Sequence, residues 1–475
     1  MKKYFSVLLT ALFILGVTSC GGNDAAVKKP SPAKPALLLE GPFKIPAFKS
    51  KYLSPAPQAE IYLPSGYSTN GAGYPVLYMH DGQNLGNWKI KENVSALVEK
   101  GLIPPIIVVG IYHRGNMRIY DYSPTYISSN IGFGDLSGGL TNYGKFIAEE
   151  LKPYIDSHYN TLTNRESTAV MGSSMGGLAS YNLLGWYPGV FGKAGCLSPI
   201  LRWNVFVGEK LNKSLVFPKD VKIYIDGGWM ETVERWEMIA SMRKTKEWLI
   251  GKGFKEGVQF YYYESPKGIH NESDWASRLY MPLLYFFGGY ASGVKSVKLV
   301  SNPAKTGIGD ISTIIPEAEL SNGMKLTPIP GAFKSSDPKS LSIDGWGQVK
   351  GLKAGEVTVS YEYQGISAQI KINVLPKSRD AKSVKLTIKT SAAVSGIKIK
   401  VLTFNGAPDK TVLVPSKNAV GDWEIEIEKL KSDYLTFEVV DQDGKKGYDS
   451  KGEAILKKII FSANTHSELN VAEWK

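Results

Sequence analysis

The chain has 475 residues, a net charge of +12 at neutral pH and two cysteines. This length is sufficient for two to four domains, and two cysteines exclude a disulfide-rich scaffold. Lysine and arginine are dispersed among acidic residues, with no run of five like charges and no recognisable nucleic-acid module. The charge therefore predicts a solvated basic surface and no nucleic-acid partner.

Residues 1–20 have the pattern of a targeting segment. Lys2 and Lys3 precede an apolar run, residues 5–17, that is too short to span a bilayer as a stable helix. Small residues then precede Cys20, an arrangement that resembles a bacterial lipoprotein signal. The resemblance implies lipidation of Cys20 and an envelope protein anchored in the outer membrane, on its periplasmic or its surface face. The alternative is an ordinary secretory peptide.

The rest of the chain changes character twice. Residues 21–40, rich in Pro, Ala, Gly and Lys, predict a flexible tether. Over residues 41–290, strand-like and helix-like runs alternate, which is typical of a mostly parallel α/β sheet. After residue 290, short alternating segments separated by turns predict two all-β sandwich domains, 291–376 and 381–475. The predicted α/β strands are 76–79, 106–111, 168–171, 222–226 and 258–263, and the predicted helices include 90–99, 143–158 and 231–251.

Residues 168–177 combine a β-prone run, the pattern Gly-x-Ser-x-Gly and a helix-compatible segment. That order is the context of a nucleophile elbow, in which a strained turn presents Ser174 Oγ at a helix N-terminus. The bare pattern is expected by chance roughly 0.4 times in a chain this rich in Gly and Ser. The other parts of a hydrolase site therefore decide its meaning. Cys196 lies in a predicted buried strand and is interpreted as a core residue rather than a nucleophile.

A serine hydrolase needs an acid and a base, which in α/β-hydrolases follow the serine in that order. Of the five histidines, only His270 follows Ser174 within the α/β region, in a loop after a predicted strand. The oxyanion hole would use the backbone N–H of Met175 and a second N–H from the loop after the strand at 76–79. Spacing does not choose among the three acid candidates, which are Asp226, Glu231 and Glu234.

Three motifs in order give the region from about residue 61 to residue 289 a family resemblance. They are YMHDGQN at 78–84, GSSMGG at 172–177 and GIHNESDW at 268–275. The region resembles the bacterial esterase family related to esterase D, which includes feruloyl and acetyl-xylan carbohydrate esterases, enterobactin-type esterases and mycolyltransferases. The resemblance implies an α/β-hydrolase sheet and an ester as substrate.

The resemblance also implies roles for particular residues. Ser174 would be the nucleophile, His270 the base and Glu231 the acid, although Trp229 and Met230 depart from the small polar residues common in that loop. The second oxyanion donor would be the N–H of Gln83. The residues expected to line the substrate cleft are Asp81, Arg118 and Trp203.

The predicted function is a serine esterase that hydrolyses feruloyl or acetyl esters of a polysaccharide or oligosaccharide through an acyl-serine. The alternatives are an acyltransferase to a sugar hydroxyl, a siderophore esterase and a non-catalytic surface protein that binds glycan. No metal or cofactor is predicted, because no cluster of His, Cys and carboxylates has ligand spacing.

The two β regions carry weaker resemblances. Residues 294–375 resemble bacterial immunoglobulin-like group 2 domains, and residues 382–475 loosely resemble a starch-binding sandwich. In the second region, three aromatic residues are candidates for a sugar-stacking platform, although core and edge packing is the favoured interpretation. They are Trp423, Tyr434 and Tyr448.

Overall fold

The structure is a computed structural model of the chain. Cys20, Trp203 and Glu234 lie outside the residues that it describes, as does the predicted signal peptide. Within the described residues, no helix is both long enough and apolar enough to cross a membrane. The described residues are 38–47, 49–124, 138–201, 215–231, 235–289, 293–302, 306–376, 383–391, 394–404, 407–408, 412–428, 434–448, 450, 455–460 and 466–475.

The first part of the chain, residues 38–289, is built on one eight-stranded sheet, and we call it the α/β domain. Its strands are β1 (Leu39–Lys44), β2 (Ala59–Pro64), β3 (Val76–His80), β4 (Ile107–Ile111), β5 (Thr168–Ser173), β6 (Lys193–Leu197), β7 (Lys222–Gly228) and β8 (Phe260–Ser265). The spatial order is β1-β2-β4-β3-β5-β6-β7-β8. β1 pairs antiparallel with β2, and β2 pairs antiparallel with β4. In the order given, all pairs from β4 to β8 are parallel.

Hydrophobic cores lie on both faces of this sheet, between the sheet and the helices. Val76 and Tyr78 of β3 belong to one core, and the alternate residues Leu77 and Met79 belong to the other. Burial on both faces is the expected environment of a parallel sheet, and the fold is that of an α/β hydrolase. The helices are α1 (Ile90–Glu99), α2 (Arg118–Tyr122), α3 (Leu140–Lys145), α4 (Lys152–His158), α5 (Met175–Trp186), α6 (Arg235–Gly251), α7 (Glu272–Arg278) and α8 (Tyr280–Phe287), with a π-helix at Phe146–Leu151 and 3₁₀ turns at Gly82–Asn84, Gly115–Met117 and Arg165–Ser167.

Several elements differ from the sequence predictions. β1 and β2 are absent from the sequence predictions, and β1 includes Leu39 and Glu40 of the predicted tether. β1 shows little alternation because most of its residues are exposed at the edge of the sheet. The predicted helix 143–158 contains a π-helical turn, and within the predicted helix 231–251 the described helix is Arg235–Gly251. β8 covers residues 260–265, two residues later than predicted.

Residues 293–376, the first β module, contain strands and no helix among the residues described. Two sheets, ordered β10-β17-β16-β13 and β12-β11-β15-β14 with β9 beside β11, share a core that includes Ile314, Val349 and Val359. The strands are β9 (Val294–Asn302), β10 (Thr306–Gly307), β11 (Ile311–Leu320), β12 (Lys325–Leu326), β13 (Ala332–Ser335), β14 (Leu341–Ile343), β15 (Gln348–Gly351), β16 (Gly355–Tyr363) and β17 (Ile366–Leu375).

Residues 383–475, the last β module, have a separate core. Trp423 is 8% exposed and belongs to that core, so it is not available as a stacking surface for sugar. Tyr448 is half-buried, with Lys475 Nζ 5.2 Å from its ring centroid, and the side chain of Tyr434 is not described. The strands are β18 (Ser383–Thr390), β19 (Ile397–Phe404), β20 (Ala407–Pro408), β21 (Val412–Leu413), β22 (Ser416–Lys417), β23 (Trp423–Glu428), β24 (Tyr434–Asp441), β25 (Gly447–Tyr448), β26 (Leu456–Ile460), β27 (His466–Val471) and β28 (Glu473–Trp474).

The first β module packs directly on the α/β domain through residues 317–329, which we call the docking segment. Thr327 N–H donates to Tyr262 O (3.0 Å), and Glu264 N–H donates to Thr327 Oγ1 (2.8 Å). Since β8 is the last strand of the eight-stranded sheet, these bonds cover an edge that would otherwise present unpaired backbone groups. The docking segment also contributes Met324 and Leu326 to a core of the α/β domain.

Candidate active site

Ser174 lies in the tight turn between β5 and α5. Its backbone has φ 57° and ψ −119°, a conformation that residues other than glycine rarely adopt. The neighbouring glycines make room for the turn: a Cβ on Gly172 would lie 2.9 Å from Gly176 C, and one on Gly177 would lie 2.9 Å from Pro199 Cβ. The strand, turn and helix thus have the geometry of a nucleophile elbow, with Ser174 at the N-terminus of a buried helix.

Neighbouring parallel strands bring the other predicted groups to the same edge of the sheet. Ser174 N–H donates to Leu197 O (2.9 Å) at the end of β6, and Ser198 N–H donates to Asp226 O (2.7 Å) in β7. Glu231 follows β7 and His270 follows β8. Because the carboxyl ends of parallel strands lie at one edge, these four segments form a continuous rim.

The imidazole of His270 is held by the side chain of Glu231. Glu231 Oε2 lies 2.9 Å from His270 Nδ1, and Glu231 is only 2% exposed. The Trp275 ring meets the His270 ring edge to face, with centroids 4.9 Å apart. Asn271 begins α7 by accepting a hydrogen bond from Asp274 N–H (2.9 Å), which fixes the loop that carries His270.

Asp226 occupies a different environment from Glu231. It is fully buried, accepts a hydrogen bond from Arg278 Nε (2.8 Å) and another from Tyr224 OH (2.9 Å). Burial raises the pKa of Asp226, although Arg278 opposes that shift. Of the acid candidates in the described residues, the structure therefore brings Glu231, and not Asp226, to His270.

The loop after β3 packs against the elbow. A Cβ on Gly176 would lie 3.2 Å from His80 Cβ and 3.4 Å from Asp81 Oδ2. Asp81 has φ 57° and leads into the 3₁₀ turn that contains Gln83. Within the part of the chain that the structure describes, neither Gln83 N–H nor Met175 N–H donates a hydrogen bond. Both predicted oxyanion donors are thus available.

Asp81 and Arg118 form a bidentate ion pair beside this loop. Arg118 Nε and Nη2 lie 2.6 and 2.8 Å from the two Asp81 carboxylate oxygens, and the guanidinium lies over the Tyr122 ring. Burial lowers the pKa of Arg118, but the hydrogen bond and charge of Asp81, together with Tyr122 and Tyr143, raise that pKa above its ordinary value. Next to Asp81, burial lowers the pKa of His80 to about 4, so His80 is neutral at pH 7, with Nδ1 2.9 Å from Tyr143 OH. The predicted role of Asp81 and Arg118 in substrate binding stays a prediction.

Ser174 Oγ and His270 are not hydrogen-bonded to each other in the described structure. Such bonds are often long without substrate and tighten in the Michaelis complex. The arrangement otherwise supplies a hydroxyl in an elbow, an imidazole with a carboxylate on Nδ1, and two free amides, which together suit acyl transfer.

Comparison with known proteins places this site in a family. Residues 50–286 match the family model described as "Putative esterase". The uncharacterized protein YbbA of Bacillus subtilis strain 168 is 30% identical over 202 residues, which cover 41% of this chain and 79% of that protein. The chain belongs to the Putative esterase family.

Two further relatives of this family member carry functional names. An endo-1,4-beta-xylanase/feruloyl esterase of Xylanibacter ruminicola is 29% identical over 214 residues, covering 42% of this chain and 26% of that protein. An apo-salmochelin esterase of Escherichia coli O6:H1 is 32% identical over 117 residues, covering 22% of this chain and 36% of that protein. The chain thus spans well under half of each of these two.

In this Putative esterase family member, sequence reasoning missed two residues of the site. Ser198 Oγ and Arg278 Nη2 both lie close to Glu231 Oε1, at 2.6 and 3.8 Å. Neither residue is among the sequence-predicted site residues. A lone serine between Leu197 and Pro199 carries no motif, and only its place at the end of a buried strand could have indicated it. Trp275 belongs to the third motif, which assigns it no role of its own.

Proposed function

We propose that the protein is a serine esterase in which Ser174 is the nucleophile, His270 the general base and Glu231 the acid. The observation that carries the proposal is the 2.9 Å contact of Glu231 with His270 on the strand edge that also presents Ser174. Membership of the Putative esterase family supports hydrolysis of a carboxylic ester.

The reaction follows from the geometry in two halves. His270 Nε2 takes the proton of Ser174 Oγ as that oxygen attacks the ester carbonyl, and Glu231 stabilises the resulting imidazolium. Met175 N–H and Gln83 N–H donate to the oxyanion, and one such donor is worth on the order of 10²–10³ in rate. The C–O bond to the alcohol then breaks, the alcohol leaves with the proton from His270, and water hydrolyses the acyl-serine by the reverse sequence.

For the substrate, we propose feruloyl or acetyl esters on a polysaccharide or oligosaccharide. The support is the relative named as a feruloyl esterase, together with the exposed apolar side chains of Met230 and Ile269 on the two loops that carry the acid and the base. Those side chains suit contact with an apolar acyl group. The salmochelin esterase relative makes a siderophore ester the competing substrate.

A substrate panel with a nucleophile variant tests the proposal. The purified full chain should hydrolyse p-nitrophenyl acetate or methyl ferulate, and Ser174→Ala should lower kcat at least about 10⁴-fold. Ser277→Ala, which alters an exposed serine of α7, is the matched control and should retain activity. If the wild type and Ser174→Ala are equally slow on every ester, including a siderophore ester, the proposal is wrong.

We further propose that Cys20 is lipidated and anchors the protein in the outer membrane, with the first β module as an immunoglobulin-like group 2 spacer. The support is the sequence pattern alone. Detergent phase partitioning tests the anchor, since Cys20→Ala should move the protein from the membrane fraction to the soluble fraction. Equal partitioning of both chains would contradict it.

A further inference from the structure

The hydroxyl of Ser198 is within hydrogen-bond distance of three side chains, one of which is the proposed acid Glu231. It lies 2.6 Å from Glu231 Oε1, 2.9 Å from Trp275 Nε1 and 3.0 Å from Arg278 Nη2. Ser198 is fully buried and has φ 43°, which is unusual for a residue other than glycine. The surrounding structure therefore stabilises a backbone conformation of Ser198 that is unfavourable in free energy, and this conformation fixes the position of the hydroxyl.

The chemistry of the three partners fixes the direction of every bond. An indole N–H and a guanidinium N–H can only donate, and a serine hydroxyl has one proton and two acceptor positions. Trp275 and Arg278 therefore occupy both acceptor positions of Ser198 Oγ. Its single proton is left for Glu231 Oε1.

The donors to Glu231 Oε1 also determine which nitrogen of His270 carries the proton. Glu231 Oε1 already accepts from Gly228 N–H (2.5 Å), so the Ser198 proton gives this oxygen two donors. Arg278 Nη2 also faces this oxygen, at 3.8 Å. With Oε1 occupied by these donors, Oε2 is the acceptor that faces His270 Nδ1 at 2.9 Å. The imidazole therefore donates from Nδ1–H, and its Nε2 is left without a proton to act as the base.

Arg278 is itself fixed in place. Its Nε donates to Asp226 Oδ2 (2.8 Å) and its Nη1 pairs with Asp274. With only 4% of the Arg278 side chain exposed, the guanidinium has little freedom to turn its remaining donors away from Ser198. Asp226, which does not contact His270, thus holds the guanidinium of Arg278 in place.

We propose that Ser198 is a positioning residue: its hydroxyl, made to donate by Trp275 and Arg278, keeps Glu231 an acceptor and His270 in the Nδ1–H tautomer. The inference rests on the proposed roles of Glu231 and His270. Ser198 acts through these two residues and is not assigned any contact with substrate.

The test combines kinetics with a direct view of the tautomer. The full chain labelled with ¹⁵N-histidine contains five histidines, and His270→Gln assigns the signal of His270. Ser198→Ala and Ser198→Gly both remove the hydroxyl, and the glycine variant tolerates φ 43°, so at least one is expected to fold. The matched control is Ser241→Ala, a buried serine of α6 whose hydroxyl donates to Met238 O.

In the wild type we expect ¹⁵N shifts of the Nδ1–H tautomer at His270. Removing the Ser198 hydroxyl should give a mixture of tautomers and lower kcat about 10- to 100-fold with little change in KM. Trp275→Phe, which removes one of the two obligate donors, should give a smaller change of the same kind.

Two results overturn the proposal: an unchanged His270 tautomer in both Ser198 variants, or a kcat in both variants like that of Ser241→Ala. The proposed function fails separately. If the wild type hydrolyses no ester but the tautomer still depends on Ser198, the positioning role stands and the esterase does not. If hydrolysis depends on Ser174 while the tautomer ignores Ser198, the esterase stands and the positioning role does not.

Discussion

At the scale of single residues, two buried carboxylates five positions apart have different partners. Asp226 is paired with Arg278, and Glu231 is turned to His270. Replacing a carboxylate by its amide at each position keeps the shape and removes the charge. The two positions should therefore separate a contribution to chemistry from a contribution to stability.

Glu231→Gln should lower kcat by about 10³- to 10⁴-fold, because an amide can leave the imidazole in the wrong tautomer. Asp226→Asn removes one of the anions paired with the buried Arg278 cation and leaves the pair with Asp274 in place. It should lower the free energy of unfolding by at most about 3–5 kcal/mol, with a much smaller loss of kcat in the folded protein. Steady-state kinetics beside thermal denaturation distinguishes them. If Asp226→Asn loses more kcat than Glu231→Gln, the acid is misassigned.

At the scale of elements, the site depends on the close approach of the end of β7 to the loop after β8. A Cβ on Gly228 would lie 2.2 Å from Gly268 O, and Met230 N–H donates to Gly268 O (2.9 Å). This contact sets the distance between the segment that carries Glu231 and the segment that carries His270.

Gly228→Ala should therefore separate the two segments and lower kcat/KM by about 10²-fold or more, since small misplacements of catalytic groups are costly. Gly251→Ala is the matched control, because that glycine ends α6 with open space around its Cα. It should leave kcat/KM unchanged and the stability equal or slightly higher. Wild-type kinetics in Gly228→Ala would show that the close approach does not set the geometry.

At the scale of the whole molecule, the first β module is joined to the α/β domain by buried polar contacts. Lys246 Nζ, fully buried, lies 2.7 Å from Glu256 Oε1 and 3.1 Å from Thr327 O of the docking segment. Arg243 Nε lies 2.7 Å from Glu264 Oε1. The Arg243 guanidinium also lies 5.9 Å from the centroid of the Trp346 ring, which belongs to the first β module. Trp229 Nε1 also donates to Glu264 (2.9 Å), which links this interface to the loop of the proposed acid.

Calorimetry should therefore show the α/β domain and the first β module unfolding in one transition and the last β module, with its own core, in another. Thr327→Val leaves Glu264 N–H without its acceptor and should destabilise the shared transition by about 1–3 kcal/mol. Thr327→Ser keeps the hydroxyl and should lose less. Separate transitions for the α/β domain and the first β module would contradict this coupling.

Chain order explains why much of the site was predictable. Ser174 in its glycine-flanked turn and His270 after the last strand follow from motif and order, and the structure places both at one sheet edge. The choice between Asp226 and Glu231 did not follow from spacing, because sequence distance does not show which carboxylate faces inward at the end of a strand.

Other features left no periodic signal in the sequence. Ser198 contributes one hydroxyl at a strand end, and β1 is an edge strand with mostly exposed residues. The docking segment is a turn-rich stretch of an all-β region, and nothing in its pattern shows that Thr327 continues the edge of β8. Contacts between distant segments depend on surface complementarity, which composition and alternation do not encode.

The strained backbone of the site bears on attempts to make this esterase more heat-resistant. Asp81, Ser174 and Ser198 end three adjacent strands, and each has a positive φ that costs about 1–3 kcal/mol. A library selected for survival at high temperature alone would favour glycine at these positions, because glycine releases the strain. Such a selection would enrich stable proteins of reduced or no activity, so turnover has to be scored in the same round.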